Sequence, residues 1–132
     1  MTAATAVARR PALLPRALWA DAILTGGFAA GLAVAAGPLA GLLDLPEPLL
    51  RWAGIVLLPF TAFLVYLVTR PAPPRRGVQA VIAVNALWAV DSLALLFTGW
   101  VDPNPLGVAF VAGQALLVAA FAEFQFMGLR RS

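Results

Sequence analysis

Six acidic residues and a few amides are the side chains of this chain best suited to handling a proton or holding a polar ligand, and three of the acids stand inside long apolar runs. These are Asp21, Asp91 and Glu123, accompanied in the same runs by Asn85, Gln114 and Gln125. A polar side chain costs free energy in hydrocarbon, so each is expected to face a protein interior, as a ligand or proton site or as a hydrogen bond between helices. No lysine or histidine stands in those runs to pair with the acids. Arg16 is near enough to reach Asp21 by extending its stem. Asp91 has no evident cation. Two carboxylates can in principle share acid–base work, but nothing in the spacing brings Asp91 and Glu123 together. There is no cysteine and no histidine. Disulfides, thiolate chemistry, Cys/His zinc sites, His-ligated haem and a Ser-His-Asp triad are therefore excluded. No catalytic residue, metal or cofactor is expected.

Helical spacing sets the depth of these groups, at about 1.5 Å per residue. Asp21 lies shortly after Arg16, Glu123 shortly before Arg130, and Asn85 shortly after Val78. The three are expected in one layer near the arginine-marked side, with Thr25 and Thr61 able to join. Asp91 and Gln114 are expected deeper, at similar depth, slightly beyond the middle. Asn85 and Ser92 share a helix face with Trp88 beside them, whereas Asp91 points about 100° around. Trp88 is a candidate pocket wall, with core packing as the plainer role. Gln114 and Gln125 share one face of the last helix, roughly opposite Glu123. Which of those two faces meets the other helices stays open.

The elements that carry these residues follow from composition. The chain has 132 residues, 62% of them hydrophobic and only 11% charged, with a mean hydropathy of +0.91. A soluble domain carries about 25% charged residues, so the surplus apolar surface is expected to face lipid. A span needs about 20 residues. Four such runs are expected as helices, at 17–43, 49–69, 78–100 and 106–129, after a tail at 1–16, and residues 17–132 form a single domain. Pro38 is expected to bend or end the first helix and Pro59 to kink the second. Gly27 and Gly31 form a small-xxx-small pair expected to let two backbones approach within the chain.

Charge orders the runs. Eight of the nine basic residues are Arg9, Arg10, Arg16, Arg70, Arg75, Arg76, Arg130 and Arg131, and they lie in three short segments. The other connections carry Asp44, Glu47 and Asp102 with Arg51. Arginine-bearing loops stay in the cytoplasm, so both termini are expected inside a bacterial inner membrane, with anionic headgroups as partners of the arginines. Trp52 and Trp100 read as anchors at the external interface, and Trp19 and Tyr66 at the cytoplasmic one. Net charge is only +3 and no basic groove with aromatic neighbours is visible, so nucleic acid is not an expected partner.

The fold class is all-α: a polytopic membrane protein of four transmembrane helices in an antiparallel up-down bundle. A weak repeat raises a further arrangement. Ala17-Leu18-Trp19-Ala20-Asp21 returns as Ala86-Leu87-Trp88-Ala89-Val90-Asp91, and Asp44-Leu45-Pro46-Glu47-Pro48-Leu49 resembles Asp102-Pro103-Asn104-Pro105-Leu106. Two tandem hairpins with pseudo-two-fold symmetry along the membrane normal would produce this, as would shared turn chemistry alone.

In size, spans and arginine-marked ends the chain resembles the small four-helix inner-membrane proteins of high-GC bacteria, across its whole length and without a diagnostic motif. Small multidrug transporters are of similar length but carry an acid deep in their first helix, to which Asp21 is only loosely equivalent. The Arg/Asn-rich second helix of glutathione-using membrane enzymes and the cysteines of vitamin K epoxide reductase-like proteins are absent. The expected function is non-enzymatic: binding a lipid-like or hydrophobic small molecule, or serving as an accessory subunit of a membrane complex. The alternative is a small proton-coupled transporter or channel, as a homodimer or larger oligomer. The site candidates are Asp91, Glu123, Asn85, Trp88, Gln114 and Asp21.

Overall fold

In a computed structural model, residues 13–131 are described and fold as a four-helix bundle. The helices are α1 (Leu13–Leu43), α2 (Glu47–Val68), α3 (Arg75–Leu95) and α4 (Pro105–Arg131). Each is long and apolar enough to cross a membrane. Arg9, Arg10 and the rest of 1–12 lie outside the described residues. The chain is already helical at Leu13, so Arg16 sits on α1 rather than in a tail.

Packing is uneven. α1 lies along α2 and along α4, and α4 lies along α3, but α2 and α3 hardly touch. Two apolar clusters hold the ends. Leu14, Leu18, Leu64, Leu67, Val78 and Leu129 close the end that carries Arg16, Arg70, Arg75, Arg76, Arg130 and Arg131. There Arg75 Nη1 donates to the carbonyl of Leu129 across 3.3 Å, a cation meeting the C-terminal carbonyls of α4. Leu32, Ala36, Leu43, Leu45, Leu50 and Val111 close the opposite end, beside Asp44, Glu47 and Asp102. We call these the basic and acidic ends.

Local chemistry explains the boundaries. α1 stops at Asp44, whose backbone is left-handed (φ 59°), and the Leu45 N–H returns to the carbonyl of Ala40. That is the Schellman way of using up orphan carbonyls, with Asp in the place usually taken by Gly. Asn104 then caps α4. Its Oδ1 accepts from the Gly107 N–H at 2.8 Å, and its Nδ2 donates to the carbonyl of Leu42 at 2.9 Å. One side chain so starts α4 and ties it to the end of α1.

Three sequence expectations are corrected. α3 was expected to reach residue 100 but ends at Leu95. The chain tightens there through i→i−3 bonds at Leu96, Phe97 and Thr98, the Thr98 hydroxyl takes the Leu95 carbonyl at 2.9 Å, and Gly99 turns left-handed (φ 78°). Second, α2 runs unbroken through Pro59. The departure from helical angles falls in α1 instead, at Ala35 (φ −108°, ψ 23°), one turn before Pro38, whose ring crowds that turn and offers no N–H. Third, Gly27 and Gly31 do not carry a close approach within the chain: nothing stands within 4 Å of where their Cβ atoms would be. The close approaches are at Gly54, where a Cβ would stand 2.7 Å from the Ala29 carbonyl oxygen, at Gly107, where it would meet the Leu43 carbonyl, and at Gly128, where it would stand 2.8 Å from the Leu14 Cα. Each brings a second helix to the main chain, where no Cβ fits.

Candidate functional site

Two polar groupings emerge, one sealed and one open. The sealed one is centred on Asp21. Its Oδ1 accepts from the Thr25 hydroxyl at 2.6 Å, one turn on in α1. Its Oδ2 accepts from Asn85 Nδ2 at 2.7 Å and from Gln125 Nε2 at 2.7 Å. Asn85 Nδ2 also lies 3.0 Å from Gln125 Oε1. Three helices thus converge on one carboxylate, and the relative exposures of 0% for Asp21 and 0% for Gln125 leave no room for a ligand on it. Among the described residues no buried side-chain nitrogen or oxygen lacks a partner. A satisfied buried network of this kind fixes helix register.

The expected layer of Asp21, Asn85 and Glu123 therefore forms with a different third member. Gln125 enters it and Glu123 does not. Glu123 is exposed on the outside of α4 and makes no hydrogen bond or ion pair among the described residues. The shared face of Gln114 and Gln125 meets the bundle, which places Glu123 opposite. Helical phase, not depth, decides between residues two apart. Thr61 also stays out, donating to the carbonyl of Leu57 at 2.8 Å.

The open grouping follows from the sparse contact between α2 and α3. A cavity of about 450 Å³ lies there toward the acidic end, with Leu49, Leu50 and Ala53 of α2 on one side and Asp91, Ser92 and Leu95 of α3 on the other. A second cavity of about 380 Å³ adjoins it toward the basic end and reaches Thr25 and Asn85, with Leu57, Phe60 and Phe121 among its apolar walls. Phe28, Trp88 and Gln114 line both. Trp88 Nε1 donates to Gln114 Oε1 at 3.0 Å, and Gln114 Nε2 donates to the Val111 carbonyl at 2.9 Å. This pair is held by its own bonds and forms a fixed partition. Phe28 and Phe110 stack beside it, with centroids 5.4 Å apart.

Asp91 is the least satisfied group in this region. It is exposed, lines the larger cavity and makes no hydrogen bond or ion pair among the described residues. Its depth also differs from expectation. With α3 ending at Leu95, Asp91 lies one turn from the acidic end rather than near the middle of the span. The acid that looked deepest is thus near a mouth.

Chemically, the open site offers a long apolar trough, a fixed indole–amide pair halfway along it, and a carboxylate with a neighbouring hydroxyl at one end. Cavities of this size, mostly apolar with a few convergent polar groups, suit small hydrophobic ligands. Among the described residues no group of three His, Cys, Asp or Glu is gathered as a metal would need. Comparison with family models, curated proteins and solved structures finds no match for this chain.

Proposed function

We propose that this protein is a non-enzymatic, multi-pass membrane protein that holds a lipid-like or hydrophobic molecule in the cleft between α2 and α3. The single observation that carries the reading is that cleft: apolar walls from all four helices, left open because two adjacent helices barely meet. Four helices running alternately up and down would put every arginine among the described residues, except Arg51, at one membrane face. By the positive-inside rule that face is cytoplasmic, and the membrane is the bacterial inner membrane. Tyr66, under the Arg70 guanidinium at 5.0 Å, fits the cytoplasmic interface, and exposed Trp52 and Trp100 fit the external one. The cleft then opens to the outer leaflet. The two-hairpin repeat is not needed for this reading, because its matched acids play unlike parts.

Gentle extraction with native lipid, followed by mass spectrometry, tests the proposal. A hydrophobic molecule should be retained in about one-to-one ratio by the wild type and lost on Ala53→Phe, which fills the trough. A protein that emerges empty in both forms would overturn it.

A second reading, as an accessory subunit, is favoured by Glu123, an acid on the outside of α4 that has no partner among the described residues. A stoichiometric protein companion in the same extraction, lost on Glu123→Gln, would support it. The third reading, proton-coupled transport by an oligomer, draws on two acids with no partner among the described residues, Asp91 and Glu123. It requires pH-gradient-dependent flux after reconstitution.

A further inference from the structure

Polar groups are unevenly spread along the cleft, and their distribution constrains what it would hold. Halfway along, Trp88 and Gln114 are bonded to each other. At the rim, the Thr98 hydroxyl is occupied by the Leu95 carbonyl and the Trp100 N–H. Asp91 and Ser92, consecutive on α3 and both lining the cavity, make no hydrogen bond among the described residues. The apolar trough therefore ends in one carboxylate and one hydroxyl whose capacity is unspent.

The charge around that end is one-sided. Asp44, Glu47 and Asp102 belong to the same end, whose one basic residue is Arg51, and its Nη2 is held by Glu47 Oε1 at 2.9 Å. No cation among the described residues is available to Asp91. A cationic group arriving there would meet an uncompensated carboxylate in a partly apolar setting, where a charge-assisted hydrogen bond is stronger than a neutral one. It would also meet the indole of Trp100, which lines the rim at 83% exposure and can receive a cation on its face.

We propose that the cleft takes an amphiphile with an ammonium head and an aliphatic tail. The head is held by the Asp91 carboxylate, with Ser92 accepting a further hydrogen bond from a protonated amine. The tail lies along Leu50, Ala53 and the Phe28–Phe110 pair. This rests on the reading of the cleft as a binding site and adds the class of molecule bound. The same head occurs on an amine-bearing membrane lipid and on a free long-chain amine.

The test uses the full chain in uncharged maltoside micelles and follows tryptophan fluorescence. The probes are tetradecylamine and tetradecanol, which share a tail and differ in the head. The wild type should bind the amine at least tenfold more tightly than the alcohol, as expected for one charge-assisted bond. Asp91→Asn should abolish that preference, with the alcohol still bound, and Asp91→Glu should restore part of it. Added phosphatidylethanolamine should displace the amine if the lipid is the natural source, and should leave it bound if a free amine is. Equal binding of both probes by the wild type, or an undiminished preference in Asp91→Asn, overturns the ammonium assignment and leaves the cleft as a site for neutral molecules. Binding of neither probe overturns the cleft reading itself.

Discussion

Asp21 and Asp91 follow almost the same residues, Ala-Leu-Trp-Ala and Ala-Leu-Trp-Ala-Val, and have opposite surroundings. In α1 the leucine Leu18 is fully buried and Trp19 is exposed, so the next buried position falls on Asp21. In α3 Leu87 is exposed, Trp88 turns into the cavities and Ala89 is buried. The additional Val90 then carries the acid a further 100° or so round the helix, away from the core and into the cleft. One acid is sealed by three donors, and the other has none. A carboxylate in an apolar span is thus not a functional signal by itself. Its helical phase, and whether a neighbouring helix covers it, decide between a structural bond and an available site.

That contrast can be broken most severely at Asp21. Asp21→Leu removes the only carboxylate of the sealed network and strands the donors of Asn85, Gln125 and Thr25, at a cost of about 3 kcal/mol. Asp21→Asn keeps one carbonyl oxygen for Asn85 and Gln125 and turns its amide toward the Thr25 hydroxyl, so it should lose less, about 1 kcal/mol. Thermal unfolding in detergent would read both losses. Asp91→Asn, measured alongside, should leave unfolding unchanged. If the two asparagine variants were equally destabilised, the contrast between a sealed and an open acid would fail.

The next effect is expected where main chains touch. Gly54→Val drives a side chain into the α1 backbone and should cost about 2 kcal/mol. Gly31→Val, on an open surface, should cost little in the isolated protein. A large loss at Gly31 would mean that its face is covered in the membrane, by a second copy or a partner. A smaller effect, about 1 kcal/mol, is expected from Trp88→Phe, which breaks the bond to Gln114 and frees the partition between the cavities. Its clearer readout is ligand retention. Smallest of all, Glu123→Gln should not change unfolding measurably, and any phenotype it has in cells should come with loss of a companion protein.

Much of the scaffold was legible in the sequence because hydrophobic length and charge are one-dimensional signals. Four spans, their arginine-marked ends and the Asp44–Pro48 and Asp102–Pro105 turns needed no knowledge of packing. The failures share one cause. Depth can be counted along a helix, but facing cannot be fixed without the partner helices, so Glu123 was placed in the layer that Gln125 occupies. The pairing of Gln114 with Gln125 on one face was the available signal, and it lacked only the choice between two faces. The glycines failed in the same way. Gly27 and Gly31 have the favoured spacing, yet Gly54, Gly107 and Gly128 each meet another helix singly. The end of α3 was marked by Thr98-Gly99, a stop signal hidden by the apolar residues on either side. The cleft itself had no sequence signature, because it comes from how little α2 and α3 touch.

The difference between an open Asp91 and a shut Asp21 network can be tested by direct labelling. The chain has no cysteine, so single-cysteine variants need no altered background. Asp91→Cys and Gln125→Cys should be treated in native membranes with a membrane-impermeant maleimide from the external side. Position 91 should be modified readily and more slowly with tetradecanol, whose binding does not need the carboxylate, whereas position 125, fully buried and lining neither cavity, should be modified only after denaturation. Equal modification at both positions, or protection at 91 with no ligand present, would contradict that difference.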